Sequence, residues 1–364
     1  MAGLGDLGSR VVDALAREPA IERLIAAGRD AARGAAVAGQ AALTAQLLGG
    51  PSMVAYEHAD LEDVEATAAL LGRVDPDIIV VAASYHTWWR SPDSLPYAVW
   101  LPLQLRLVRR LMEAHGAAGI GGRVVCLPYP DVVIPALRGI GLAPDAGGGN
   151  VAEVAAKLRL LASAAHGTPR DEVDVRLVMH HAVERIALGA FESLGGGAGQ
   201  DGDPPWAAEV RVRGRLLPEA DVGALFHAPY PLPPGRETHG LTAAATVALV
   251  RALLTDEPCV CHVPGAAGLP GGYPAHVGRG GIELALPEGI SRAQAVDVNQ
   301  AAGRWDGVEQ IEDDGTVIYT AAAAQATEEA FGHRVDRLAP GDHDAAADEL
   351  LARRVDMPVR ERTV

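Results

Sequence analysis

The chain has 364 residues, a mass of 37.8 kDa and a net charge of −16, enough length for two domains whose cores need no disulfide or metal staple. Apolar residues at 49% and charged residues at 21% exclude a disordered or collagen-like chain. The acidic balance argues against nucleic acid or an anionic membrane surface as partner. Three cysteines, Cys126, Cys259 and Cys261, are too few for a disulfide framework and suit a reducing compartment. No apolar run reaches the roughly 18 residues that span a bilayer, and no signal peptide opens the chain. The expectation is a cytoplasmic protein that binds no membrane.

In chain order, a glycine-rich start leads into a helical pattern over Arg10–Arg17. Short, nearly all-apolar runs then predict strands at Arg23–Ala27, Met53–Tyr56, Asp77–Ala83 and Arg123–Leu127. Helical patterns separate them over Asp30–Leu48, Asp63–Gly72 and Tyr97–His115. Strands apolar on both faces, alternating with helices, belong to a parallel sheet covered on both sides. After Pro128 the texture changes. Helices are predicted over Asp131–Gly139, Val151–Ala165 and Leu241–Leu254, and strands at Val173–His180, Cys259–Val263 and Ala275–Leu286. Leu194–Pro205 reads as a loop, and Arg304–Tyr319, with its Asp-Asp-Gly-Thr turn, as a hairpin. The predicted architecture is α/β: a parallel-sheet domain over residues 1–128, an α+β substrate domain over 129–340, and a charged, Ala-rich tail over 341–364 that reads as one surface helix.

Gly3, Gly5 and Gly8, with Asp6 and Leu7 between the last two, form G-x-G-x-x-G at the head of the first helix. Such a loop turns tightly, lets its backbone approach a pyrophosphate, and aims helix N–H groups at the anion. A helix, then a strand, then a ribose-contacting position should follow. That position reads Gly28-Arg29, where an acid would favour NAD. A forked cation with room beside it suits a 2′-phosphate, so NADP is expected, with NAD the alternative. The strand that should precede the loop is missing, because Met1 stands two residues before Gly3; a sequence beginning further upstream is the expectation.

The order of these segments resembles the lactate/malate dehydrogenase superfamily, and the opening also resembles the NADP-binding domain of saccharopine-dehydrogenase-type reductases. Asp77–Ser84 is similar to the strand before that superfamily's lid, and Val124–Val133 to the strand ending in Asn-Pro. Gly147–Arg159 is similar to the Gly-rich turn and the helix with the catalytic carboxylate, Val175–Glu184 to the strand ending in the catalytic His, and Thr238–Val263 to a substrate-wall helix and strand.

The resemblance implies a Rossmann-type domain, hydride transfer with NADP or NAD, and a homodimer or homotetramer. His181 or its neighbour His180 would take the proton, and Glu153 would replace the family's Asp as the group that orients the ring. Two residues adjacent on a strand face opposite sides, so only one ring would meet the cofactor. Ala83, Ser84 and Asn150 would join the glycine loop around the cofactor. His86, Trp88, Trp89 and Arg90, in the lid's place, would meet substrate. Two departures stand out: Tyr129 replaces the Asn of Asn-Pro, and the carboxylate-clamping Arg falls on Ala156, with Lys157 beside it. No metal site is expected: Cys259-x-Cys261-His262 has metal-ligand residue types, but two strand-alternate thiols without a second pair read as buried apolar residues. Glu184 and Arg185 read as a surface pair. The expected function is an NADP-dependent oxidoreductase acting on a carbonyl, alcohol or imine carbon of a small anionic metabolite. The alternatives are a saccharopine-type imine reductase and a non-catalytic NADP-binding sensor or scaffold.

Overall fold

The apolar runs of the first half pair side by side in a parallel sheet, in a computed structural model that describes residues 1–86, 95–189, 200–233 and 235–354. Its elements alternate as α1 (Asp6–Leu15), β1 (Arg23–Gly28), α2 (Ala31–Leu47), β2 (Met53–His58), α3 (Val64–Val74), β3 (Ile78–Val81), α4 (Leu101–Ala118), β4 (Arg123–Cys126), α5 (Pro130–Arg138) and β5 (Ala146–Gly147). β1 pairs with β2, and β3 with β4 and then β5, all parallel. Between β1 and β3 lies the start of the chain. Ala2 bridges both Ala27 and Val81 in parallel register. Its N–H donates to the Val80 carbonyl at 2.8 Å, while the Gly3 N–H donates to Ala27 at 2.9 Å. Three residues thus stand at the sheet's centre where a full strand was expected, and the glycine loop leaves from them directly into α1.

The second half contains α6 (Val151–His166), β6 (Val173–Val178), α7 (His181–Leu188), β7 (Ala207–Val212), β8 (Arg215–Leu216), α8 (Glu219–His227) and α9 (His239–Leu254). It continues with β9 (Cys259–Pro264), β10 (Gly272–Gly278), β11 (Gly281–Leu284), α10 (Arg292–Gly303), β12 (Val308–Ile311), β13 (Val317–Tyr319), α11 (Ala321–Phe331), β14 (Arg337–Leu338) and α12 (His343–Arg354). Its strands form three antiparallel sheets, ordered β6-β7-β8, β11-β10-β9 and β12-β13-β14.

Four differences from the sequence reading matter. The parallel sheet runs past residue 128 to β5. The run Ala275–Leu286 is part of a hairpin that turns between Gly278 and Gly281. α12, in the charged tail, packs on α4 through Arg110 and Asp344 at 2.9 Å, with Leu350 beside Trp100 and Leu103. Finally, the strand predicted to reach His180 ends at Val178, and His180 caps a helix that begins at His181. The imidazole supplies the capping acceptor, taking the Ala182 N–H at 3.2 Å, and this local bond ends the extended run.

Contacts between the halves place the site. α9 buries Ala243, Val247 and Val250 in the same core as Val11, Val12 and Leu15 of α1. An Arg251–Glu18 ion pair at 2.6 Å ties the far end. The N-terminus of α9 is thereby held beside the glycine loop. Among the described residues no helix is long and apolar enough to cross a membrane.

Candidate active site

The glycine loop has the shape its spacing predicts. Gly3 has φ +94°, and a Cβ there would lie 2.5 Å from the Ala83 nitrogen. A Cβ on Gly8 would lie 1.8 Å from the Gly3 carbonyl oxygen. At Gly5 a Cβ would meet nothing within 4 Å. The first and third glycines are thus required by the protein's own packing, whereas the second faces open space, as a backbone meant to touch a phosphate should. Gly5 and Ser84 line two adjoining cavities, of about 250 and about 420 Å³.

The smaller cavity is lined by Gly28, Arg29, Asp30, Arg33 and Ala83. Arg29 is exposed and lies 5.7 Å from the centre of the Tyr85 ring. Asp30, the acid nearest the ribose position, is the N-cap of α2 and accepts the Arg33 N–H at 3.0 Å. Leu7 and Gly8 line the larger cavity with Asp6. Asp6 lies 3.1 Å from Arg10 and 2.8 Å from His239 Nδ1. Burial would raise its pKa, but these partners outweigh burial and lower it.

At the other end of the larger cavity stands His181. Its Nδ1 lies 2.8 Å from Asp306 Oδ2, and its backbone N–H donates to Asp131 Oδ1 at 3.0 Å. Tyr129 donates its hydroxyl to the same Asp306 oxygen at 3.0 Å, and the Tyr97 ring stacks on His181 with centres 4.7 Å apart. Burial disfavours the charged ring, but the Asp306 charge and hydrogen bond, with Asp131 and Glu153 behind them, prevail and raise the His181 pKa. Asp306 responds in the opposite sense: despite burial, the two histidines and Tyr129 hold it low. His180 also approaches Asp306, at 3.5 Å, but burial dominates there and its pKa is lowered. Asp306→Asn should therefore drop the His181 pKa. NMR titration of the His181 ring would show it, with the midpoint above the ordinary value of about 6.5 in the unmodified protein and lower in the variant.

Several predicted roles are redrawn. Glu153 does not sit on the His181 ring; Asp306, just ahead of β12, does. Glu153 instead accepts the Thr242 hydroxyl at 2.8 Å and shares a hydrogen bond with Glu184. Burial raises Glu153 to about 7 and Glu184 well above the usual carboxyl value. Glu184 is 6% exposed and lines the cavity, so the expected surface pair with Arg185 is overturned. The two histidines do not occupy opposite faces of a strand, because the strand has ended; both rings converge on Asp306. Lys157 turns away from the cavity and donates to the Ala187 and Phe226 carbonyls at 2.6 Å each.

Asn150 caps α6, lines the larger cavity and donates to Asp131 Oδ2 at 2.5 Å. His86 also lines that cavity, stacked on Trp100 with centres 5.3 Å apart. Trp88, Trp89 and Arg90 lie outside the described residues. Tyr129 has φ +41°, a strained value for a bulky residue; it turns the chain sharply into α5 and carries the phenol to Asp306. His262 accepts the Leu177 N–H at 3.1 Å, a structural bond. Sequence reasoning missed Asp306, Asp131, Thr242 and Gln104. The spacing of Asp306 carries no signal, since the hairpin that follows it meets α7 only in the fold.

No known family profile and no curated protein matches the chain. Solved structures do. A lactate dehydrogenase from a Medee basin deep-sea metagenome library is 13% identical, with 84% of this chain and 95% of that one covered at a TM-score of 0.56. The malate dehydrogenase of Cryptosporidium parvum is 16% identical, with 84% and 93% covered at 0.53. The lactate dehydrogenase of the same organism, solved with lactic acid and nicotinamide adenine dinucleotide, is 13% identical, with 84% and 96% covered at 0.53. The chain is similar in fold to lactate and malate dehydrogenases, and that fold is α/β with a Rossmann-type sheet.

Proposed function

We propose that this protein is a nicotinamide-dependent oxidoreductase in which His181, held by Asp306, moves the proton that accompanies hydride transfer. The observation that carries the reading is the 2.8 Å contact between His181 Nδ1 and Asp306, at the end of a cavity whose other end is the glycine loop. Gly3, Gly5 and Gly8 would hold the pyrophosphate, with Ala83, Ser84 and Asn150 along the path to His181. A nicotinamide, when bound, accepts or supplies a hydride at its C4. The protein's part is the proton. In oxidation, as the substrate C–H hydride departs, the neutral His181 takes the hydroxyl proton on Nε2 and the C–O bond becomes C=O; reduction runs in reverse from the protonated ring. Asp306 fixes the tautomer that leaves Nε2 toward the cavity and stabilises the charged ring.

NADP is the proposed cofactor. Arg29 lines the ribose end, and Asp30, the acid beside it, is committed to its helix cap. Arg29→Ala should weaken NADPH by roughly tenfold or more and leave NADH nearly unchanged, since only the 2′-phosphate gains the charge-assisted bonds. Isothermal calorimetry with both cofactors measures this. Equal affinities for NADPH and NADH in the unmodified protein would refute it. The whole reading is tested by NADPH binding followed by a turnover screen of alcohols, ketones and imines. A protein that binds NADPH and turns over none of them would be the sensor or scaffold instead.

A further inference from the structure

The larger cavity is electrically lopsided. Its arginines, Arg33 and Arg236, belong to the glycine-loop end: Arg33 also lines the smaller cavity and donates from Nε to the Leu4 carbonyl at 2.6 Å. Arg236 stands near His239, which contacts Asp6. Toward His181 the charges of the described residues are acidic. Glu153 and Glu184, 7% and 6% exposed, line the wall and share a hydrogen bond. Asp131 and Asp306 lie behind them. The helix position where the related dehydrogenases were expected to place a clamping arginine is the exposed Ala156, and Lys157 is spent on two carbonyls.

A second observation is independent of charge. Gln104, 1% exposed, lines the same cavity, and beyond the Tyr97 hydroxyl its buried amide finds no hydrogen-bond partner among the described residues. A buried amide has more donor and acceptor capacity than one phenol uses, and a ligand with a complementary N–H or O–H group would fill the remainder.

A carboxylate substrate would meet acidic groups at this end, with no arginine or lysine among the described lining residues there to hold it, whereas an ammonium would give the Glu153–Glu184 pair a cation and favour its charged form. We propose that the substrate is a small amino alcohol or its amino ketone, its ammonium held by the Glu153–Glu184 pair and its neighbouring polar hydrogen by Gln104. This replaces the expected anionic metabolite and rests on the function proposed above. The chemistry is unchanged: the carbinol hydride leaves with the cofactor, and the hydroxyl proton goes to His181.

The test uses two alcohols of one size, 1-amino-2-propanol and lactate, titrated into NADPH-loaded protein, where an alcohol has no oxidised cofactor to react with. The amino alcohol should bind at least tenfold tighter than lactate, and Glu153→Gln/Glu184→Gln should erase that preference. Gln104→Leu should weaken the amino alcohol several-fold while leaving the melting temperature unchanged or higher, which a purely structural glutamine would not do. Lactate binding as tightly, neither alcohol binding, or a preference that survives both variants would overturn the inference while NADPH binding left the dehydrogenase reading standing. Failure to bind either NADPH or NADH would instead remove that reading, and this inference with it.

Discussion

His181→Asn should lower turnover by roughly two to four decades, the usual worth of a general acid–base group, with NADPH affinity scarcely changed. The reason is positional. His181 lines the end of the cavity away from the glycine loop, and its ring is fixed by Asp306 on one edge and by Tyr97 on its face. Asparagine keeps a polar group there but cannot exchange a proton near neutral pH. His180→Asn is the control: that ring is absent from the cavity lining and caps α7, and asparagine, itself a good capping residue, should keep the helix start and cost little turnover.

The pH profile gives the sign. Because Asp306 raises the His181 pKa, oxidation, which needs the neutral ring, should fall as pH drops through that raised value. Reduction, which needs the charged ring, should fall as pH climbs through it. Asp306→Asn should move both limbs to lower pH, the signature of a positioning carboxylate as opposed to a merely structural one. The same raised pKa adds stability that is fully present below about pH 6.5 and is lost as pH rises through the folded value. Full turnover in the His181→Asn variant, with NADPH still bound, would end the proposed role.

The glycines should separate folding from cofactor binding. Gly8→Ala puts a methyl 1.8 Å from the Gly3 carbonyl, a backbone clash that no rotamer relieves. Its melting temperature should fall by roughly 5–10 °C, and NADPH binding should fall with it because α1 can no longer close on the loop. Gly5→Ala meets nothing in the protein and has an ordinary extended backbone with φ −68°. It should melt normally, yet bind NADPH some 10- to 100-fold more weakly, since the methyl occupies the space a phosphate needs. Calorimetry and thermal melts on the two variants decide this. A Gly5→Ala protein with unchanged NADPH affinity would show that the loop does not carry a pyrophosphate.

Periodicity and local chemistry in the sequence predetermined much of the first half. The all-apolar runs become β1, β3 and β4 because residues buried on both faces can dispense with polar alternation, whereas β2, paired only with β1, forms a strand with Met53 71% exposed. The glycine spacing encodes a turn whose first and third positions admit no side chain. Asp30 and Asp63 mark helix starts by capping them, and the Asp-Asp-Gly-Thr turn joins β12 to β13. These are short-range effects, each decided within a few residues. The site itself depended on contacts made at long range. His181 stands 125 residues from Asp306, and no local rule links a helix start to the turn before a distant hairpin. The surroundings of Glu184 likewise follow from α6 and α7 meeting across one cavity, which turned an expected surface carboxylate into a buried partner of Glu153. What the sequence determined was which segments could be buried and where the backbone must bend; which charges face one another was decided by the tertiary structure, because electrostatic pairing depends on distance in space and burial, and neither is written in the spacing along the chain.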